Sequence, residues 1–303
     1  MTADAATGQE TWALAYGDEI DETLVVIEVL GGGTRYEVYR AWDRILFCQV
    51  AVKVVRPHRV AEDRVLDSLQ REIAIASRLQ HPNLVRLLRW SLAPPRPHMV
   101  FEYITAQTVA AHLDEIGPVS VPECCLLGIR MLSALHYLHQ NHVLHLDVKP
   151  DNVTMGDPPR LLDLSLAQTF STPVKLRHAV GTSPYMPPEQ CEHGDVSPQS
   201  DLFALGVTLY EALSGMQPFS IGDDAAADRA ARYPQLVEEP QPLGDIMEVH
   251  PLLERIVMQC LARDPARRPR SAVDAAMALE SVLESLRSED LYAWPPGLGV
   301  TPG

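Results

Sequence analysis

Aromatic side chains make up only 6% of this 303-residue chain, cations are scarce, and the few cysteines follow no pattern. Lys and Arg number 25 against 40 Asp and Glu, a formal net charge of −15. Nucleic-acid binding depends on neutralising phosphates with Lys and Arg, so this balance argues against a nucleic-acid partner. The five cysteines (Cys48, Cys124, Cys125, Cys191 and Cys260) are odd in number and contain no CxxC. They read as structural thiols in a reducing cytosol, not as a bridged framework. No apolar run approaches the roughly 18 residues needed to span a bilayer. The first ten residues lack the basic and apolar regions of a signal peptide. The expectation is a soluble, cytoplasmic protein with no membrane span. What the chain does have is 46% hydrophobic residues, enough for a sizeable core and against bulk disorder. Its length suits one large domain or two of ordinary size.

Residues 1–21 lack periodicity and read as a flexible N-terminal arm. Residues 23–30, 36–42, 49–55, 84–92 and 99–104 read as five strands, the first stopping at Gly31-Gly32-Gly33. Residues 61–79 carry Val65, Leu69, Ile73, Ala76 and Leu79 at helical spacing, ended by His81-Pro82-Asn83. After Thr105 the pattern turns helical. Residues 122–140 place Leu127, Met131, Leu135 and Leu138 on one face, and Ser197-Pro198 opens a helix that closes near Gly215. Two more helices fit 251–262 and 271–286. Strands with one helix, then helices, predict an α+β fold of two lobes, 22–104 and 105–287, with a flexible tail over 288–303.

The densest chemistry lies in His145-Leu146-Asp147-Val148-Lys149-Pro150-Asp151-Asn152, followed by Asp163. Phosphoryl transfer needs metal ions on the phosphate oxygens, a group to orient the attacking hydroxyl, and cations on the developing charge. Asp147 can accept a hydroxyl proton, Lys149 can touch the moving phosphate, and Asn152 and Asp163 offer oxygen to magnesium. Gly31-Gly32-Gly33 permits a tight turn whose N–H groups approach phosphates; a plain hairpin is the alternative. Ala51-Val52-Lys53 and Arg71-Glu72-Ile73 offer a cation and a carboxylate to hold it, or else a solvated lysine and a helix-surface acid.

Together these segments resemble the eukaryotic-like Ser/Thr protein kinases, probed by the patterns HRDLxxxN, DFG and V-A-I-K. The downstream segments agree. Gly181-Thr182-Ser183-Pro184-Tyr185-Met186-Pro187-Pro188-Glu189 resembles GTPxYMAPE, which docks a peptide substrate. Ser200-Asp201-Leu202-Phe203-Ala204-Leu205-Gly206 resembles the D(V/I)WSLG helix, whose Asp braces the catalytic loop. Cys260-Leu261-Ala262-Arg263-Asp264-Pro265-Ala266-Arg267-Arg268-Pro269 resembles CLxxDPxxRP, in which Arg268 pairs with Glu189. The agreement runs from Leu30 to Pro269. The peptide-docking segment sets the chain apart from small-molecule phosphotransferases. The usage of Ala, Pro and Arg points to a bacterial source.

The resemblance implies a bilobal kinase fold, with a five-stranded N-lobe carrying one main helix and a mostly helical C-lobe. It implies ATP with Mg2+, or Mn2+ in its place, protein substrates and a regulatory protein partner. Asp147 becomes the base and Lys149 the phosphate-stabilising cation. Lys53, braced by Glu72, anchors the α- and β-phosphates. Asn152 and Asp163 become the metal ligands. Leu30, Gly31, Gly33, Val38, Ala51, Lys53, Phe101, Glu102, Tyr103 and Thr154 become the nucleotide contacts, with Phe101 as gatekeeper and Thr154 under the adenine. Lys149 and Gly181-Thr182 match the Ser/Thr pattern and not the tyrosine one.

Four positions depart from that pattern: Leu146 for Arg, Leu164-Ser165 for Phe-Gly, and Tyr36 for the third glycine. Leu146 removes the arginine that in many kinases binds an activation-loop phosphate (the non-RD type), so activity is expected not to need that switch. Thr169, Ser171 and Thr172 remain as loop hydroxyls, with Lys175 and Arg177 as local cations. A pseudokinase, a nucleotide-binding regulatory scaffold, is the alternative that these departures motivate.

Overall fold

A computed structural model describes residues 2–3, 10–171, 174–176 and 180–286. The expected tail over 288–303, Thr172 and Arg177 lie outside the described residues. The chain divides into two compact units, Met1–Gln80 with Val85–Thr105, and His81–Leu84 with Ala106–Gly303.

The first unit opens with two short paired strands, β1 (Thr2–Ala3) and β2 (Glu10–Thr11). Next come β3 (Glu19–Asp21), β4 (Leu24–Gly32), β5 (Tyr36–Asp43) and β6 (Cys48–Val55). Helix α1 (Asp63–Ala76) follows, then β7 (Leu87–Ser91) and β8 (His98–Glu102). The sheet is antiparallel, in the order β3-β4-β5-β6-β8-β7. Alternation along each strand sends successive side chains to opposite faces. Val50, Val52 and Val54 join Leu24, Val26, Tyr39, Ala41 and Val100 on one face. Val55, Met99, Phe101 and Tyr36 meet Val65, Leu69 and Ile73 of α1 on the other.

The five expected strands are all present, and β3 adds a sixth. Its presence corrects the expectation of a loose arm over the described part of 1–21. Leu14 and Ile20 are buried in the sheet's core, with Trp12 packed against them. The indole Nε1–H of Trp12 donates to Val55 O at 2.8 Å. A three-residue strand held by so few apolar anchors leaves no period to read in sequence.

His98 on β8 is buried, with Nδ1 at 2.8 Å from Arg96 O and Nε2 at 3.4 Å from Asp21 Oδ2. Burial pushes its pKa below the ordinary 6.5, outweighing the upward pull of the Arg96 carbonyl and Asp21; Arg89 also pushes it down. A histidine with a depressed folded pKa stabilises the fold above its unfolded value, and that stability drains away as pH falls through the folded value. Melting temperature therefore declines from about pH 6.5 downward, and His98→Asn flattens that part of the profile in thermal scans down to about pH 5. Equal slopes for the two proteins would refute this.

The second unit is mainly helical. Its helices are α2 (Val109–Glu115), α3 (Val121–Gln140), α4 (Pro188–Cys191), α5 (Pro198–Ser214), α6 (Arg229–Arg232), α7 (Pro251–Cys260) and α8 (Ala272–Ser285). Its strands are two-residue pairs: β9 (Val143–Leu144) with β10 (Gln168–Thr169), and β11 (Val174–Lys175) with β12 (Asp195–Val196). A Ser120/Glu123 capping box starts α3. Helix α5 is buried along most of its length, against α3 and α7. The thiols of Cys124, Cys125, Cys191 and Cys260 are buried and unpaired by disulfide, as structural thiols would be. Burial pushes Cys125, Cys191 and Cys260 up to about 12, which leaves them unreactive at neutral pH. Among the described residues no helix is long and apolar enough to cross a membrane.

Candidate active site

In the first unit, alternation along β6 turns Lys53 toward α1, where Glu72 sits beside the sheet-facing Ile73. The Lys53 ammonium donates to both Glu72 oxygens, at 2.8 and 3.0 Å. The side chains are only 10% and 1% exposed, so solvent screens this pair weakly. The same ammonium lies 4.6 Å from the centroid of the Tyr36 ring, a cation–π contact. The residue in the third glycine position thus lends an aromatic face to the lysine.

The expected nucleotide contacts of this unit are neighbours in the sheet. Gly31 pairs with Val38, Val38 with Lys53, and Ala51 with Phe101. Leu30 is exposed at the start of the turn. The Gly33 N–H closes the turn onto Tyr36 O at 3.0 Å. Steric demand for glycine falls on Gly32, between the two pattern glycines. Its φ is +156°, and a Cβ there would meet Tyr36 O at 2.5 Å. Glu102 exchanges two hydrogen bonds with the backbone of Arg86 (2.9 and 3.0 Å). Tyr103 receives Arg40, whose Nη1 is 3.5 Å from the hydroxyl and whose guanidinium lies 5.4 Å from the ring.

In the second unit the catalytic-loop octet follows β9 and ends in a 3-10 turn, Pro150–Asn152. Asp147 is the hub. Its Oδ1 accepts the Thr182 hydroxyl at 2.9 Å, and its Oδ2 lies 3.2 Å from Lys149 Nζ. The Asn152 amide donates to its Oδ2 at 3.1 Å and to its carbonyl at 2.9 Å. Lys149 also donates to Thr182 Oγ1 at 2.6 Å. The Asp147 carboxylate, the Lys149 ammonium, the Asn152 amide and the Thr182 hydroxyl therefore form one network.

Buried groups hold this loop. His145 accepts the Asp147 N–H at Nδ1 (3.3 Å) and donates from Nε2 to Leu162 O (3.0 Å), beside Asp163. Asp201 of α5 accepts from His145 N (3.0 Å), Leu146 N (2.8 Å) and His139 Nε2 (2.8 Å). Burial alone would raise its pKa. The His139 hydrogen bond and charge and the Leu146 N–H instead hold it below the ordinary carboxylate range. Asp201 is thus an anionic brace at neutral pH.

Leu146 and Asp163 both adopt positive φ, 64° and 58°, whereas Ser165 does not. Ser165, in the glycine position of the expected metal-binding segment, thus needs no glycine freedom here. The Ser165 N–H donates to Asp163 Oδ1 at 3.1 Å, and Leu164 is buried. The Thr154 hydroxyl accepts the Arg160 N–H at 2.8 Å, so its added polarity over valine is satisfied.

The segment 181–189, expected to dock a peptide, is tied to the same loop. Gly181 has φ +126°, and a Cβ there would strike Gln190 Nε2 at 2.5 Å. That buried amide donates to Leu146 O at 2.9 Å and to Val180 O. Glu189 takes a two-pronged bond from Arg268, 2.7 and 2.9 Å. The structure thus joins Lys53 to Glu72 in the first unit, and Asp147, Lys149 and Asn152 to one another in the second. Gln190 and His139 escaped the sequence reading. Each is a single polar residue on a helix, and only its distant partner reveals its role.

The family described as "Protein kinase domain" matches residues 24–281. The chain is 29% identical over 276 residues to the serine/threonine-protein kinase PrkC of Bacillus subtilis, covering 89% of this chain and 42% of that protein. It is 32% identical over 279 residues to the serine/threonine-protein kinase pkn3 of Myxococcus xanthus, covering 86% of this chain and 50% of that one. With PknB of Mycolicibacterium smegmatis it shares 31% identity over 268 residues, covering 85% and 42%. The chain thus spans half or less of the length of these relatives.

Proposed function

The chain belongs to the protein kinase domain family, and on that premise we propose that it is a Ser/Thr protein kinase, transferring the γ-phosphoryl group of ATP to serine and threonine hydroxyls of proteins. The carrying observation is the Asp147–Lys149–Thr182–Asn152 network. The Asp147 carboxylate orients the substrate hydroxyl and takes its proton as the oxygen attacks phosphorus. Lys149 places positive charge on the phosphoryl oxygens in transit. Lys53, fixed by Glu72, binds the α- and β-phosphates, and the N–H groups of the glycine turn add dipoles.

The donor set fits magnesium. The Asn152 amide nitrogen is engaged by Asp147, which leaves its Oδ1 as an oxygen donor alongside the Asp163 carboxylate. Among the described residues no cluster of three His, Cys, Asp or Glu could hold a metal alone. Magnesium commonly completes its shell with phosphate and water oxygens, so two protein ligands suffice. When bound, the ion supplies neutralisation of charge on the phosphates.

The non-RD reading has its own support. Leu146 is buried with Leu144, Leu176 and Val196, and Phe170, Val174 and Val180 pack against them. An apolar plug thus joins the catalytic loop to the segment after Asp163, where many kinases use an arginine and a phosphate. A regulatory scaffold without transfer would be favoured by a missing acid or a broken Lys53–Glu72 pair, and neither occurs here. The test is the intact mass of the phosphatase-treated chain, and of an added protein substrate, after incubation with MgATP. Phosphate should appear on serine or threonine without a lag. ATP binding with no phosphate on either protein would favour the scaffold, and a lag that prior phosphorylation abolishes would refute the apolar-plug reading.

A further inference from the structure

Three consecutive glycines make the turn after β4 costly to order, since glycine loses the most backbone freedom on becoming fixed. The structure meets that cost with a buried guanidinium. Arg56, just after β6, donates from Nε to Gly33 O at 2.7 Å and from its backbone N–H to Arg35 O at 2.9 Å. Two carbonyls of the turn are therefore held by one residue. Arg56 Nη1 also reaches Glu37 Oε1 at 3.2 Å, with side-chain exposures of 2% and 4%.

The pair is completed by the N-terminal segment. Glu10 O accepts from Arg56 Nη1 at 3.3 Å. The Trp12 backbone N–H donates to the Glu37 carboxylate at 3.2 and 3.4 Å, and the Tyr39 hydroxyl donates to it as well. Trp12 is anchored by its Nε1 bond to Val55 O and by the Arg96 guanidinium 4.9 Å from its ring. A buried ion pair holds its geometry only while its remaining donors and acceptors are satisfied. Remove the segment, and Arg56 loses an acceptor while Glu37 loses a donor.

We propose that Arg56 is a positioning residue for the glycine-rich turn, and that the segment Glu10–Trp12, acting through the Arg56–Glu37 pair, sets how firmly that turn is held and so how tightly nucleotide binds. The consequence for nucleotide rests on the kinase reading above; the holding of the turn does not. A turn already ordered before binding loses less freedom on meeting phosphates, and affinity rises accordingly.

The test is amide hydrogen exchange on the full chain without nucleotide, comparing residues 29–37 with α3 as internal reference. Trp12→Pro deletes the N–H that serves Glu37, and a chain begun at Ala13 deletes the segment outright. Trp12→Phe keeps the backbone N–H and an aromatic ring for Arg96, and gives up only the Nε1 bond to Val55 O. Exchange over 29–37 should quicken about tenfold, or ~1.4 kcal/mol of local opening, in the first two and stay near wild type in Trp12→Phe. KM for ATP should rise by a similar factor while kcat holds. Unchanged exchange over 29–37 in both disrupted variants, with α3 still protected, would overturn the inference whatever the enzyme activity. If the wild type binds no ATP, the kinase reading falls, and exchange alone decides whether the segment Glu10–Trp12 holds the turn.

Discussion

Asp147→Asn should lower kcat by about 10²- to 10⁴-fold, the usual worth of a positioned general base, while ATP affinity and melting temperature stay near wild type. The amide matches the carboxylate in shape: its oxygen in the Oδ2 position still accepts from Asn152, and its nitrogen in the Oδ1 position donates to the Thr182 hydroxyl instead of accepting from it. What it cannot do is receive the substrate's proton. It also removes the negative charge 3.2 Å from Lys149 Nζ, which frees the ammonium without moving the backbone. Radiolabelled phosphate transfer, ATP titration and thermal melting on the same preparations separate these effects. Activity within tenfold of wild type would remove Asp147 from the role of base. A collapse of ATP binding would mean that the loop had been disturbed instead.

Two kinds of signal made the fold and the site legible, and both are local. A β-rich run stopped by glycines marked β4, further strand-like stretches marked β5, β6 and β8, and apolar spacing marked α1 through Val65, Leu69 and Ile73. Motif spacing marked Lys53, Glu72, Asp147 and Asn152, because the chemistry demands those side chains at those separations. What stayed hidden depends on partners far along the chain. In sequence, Leu146 shows only the loss of an arginine. Its packing against Leu176 and Val196 depends on residues 30 and 50 positions away. Gly32 looks like a spacer between two pattern glycines until the Tyr36 carbonyl is placed beside it. Strand β3 and Trp12 hide for a related reason, since three residues and one indole carry no periodicity. Arg56 shows the limit most plainly. A charged residue after a strand ordinarily faces water, and only the convergence of Gly33, Glu37 and Glu10 explains its burial.

Arg268→Ala should destabilise the helical unit by about 3–5 kcal/mol, the cost of leaving a buried charge without its partner. For a unit of this size that corresponds to a loss of about 6–20 °C in melting temperature. The Arg268 side chain is fully buried. Besides its two bonds to Glu189 it donates to Ala262 O, Gln199 O and Arg263 O, and its guanidinium lies 4.8 Å from the Phe203 ring. Truncation strips all of these and leaves Glu189 with only the Ser200 hydroxyl, at 2.7 Å. Much of the loss comes from the stranded carboxylate and not from the bridge itself, so neutralising Glu189 should restore part of it. In a double-mutant cycle with Glu189→Gln, the pair should be less damaged than the sum of the single changes, with a coupling of roughly 1–3 kcal/mol. Strict additivity would show that the two residues stabilise the unit independently. The expected docking segment should respond in step, because Glu189 is the second residue of α4, which begins directly after Met186 and Pro187. Loss of the bridge should therefore raise KM for a protein substrate more than KM for ATP, a split that general unfolding would not produce.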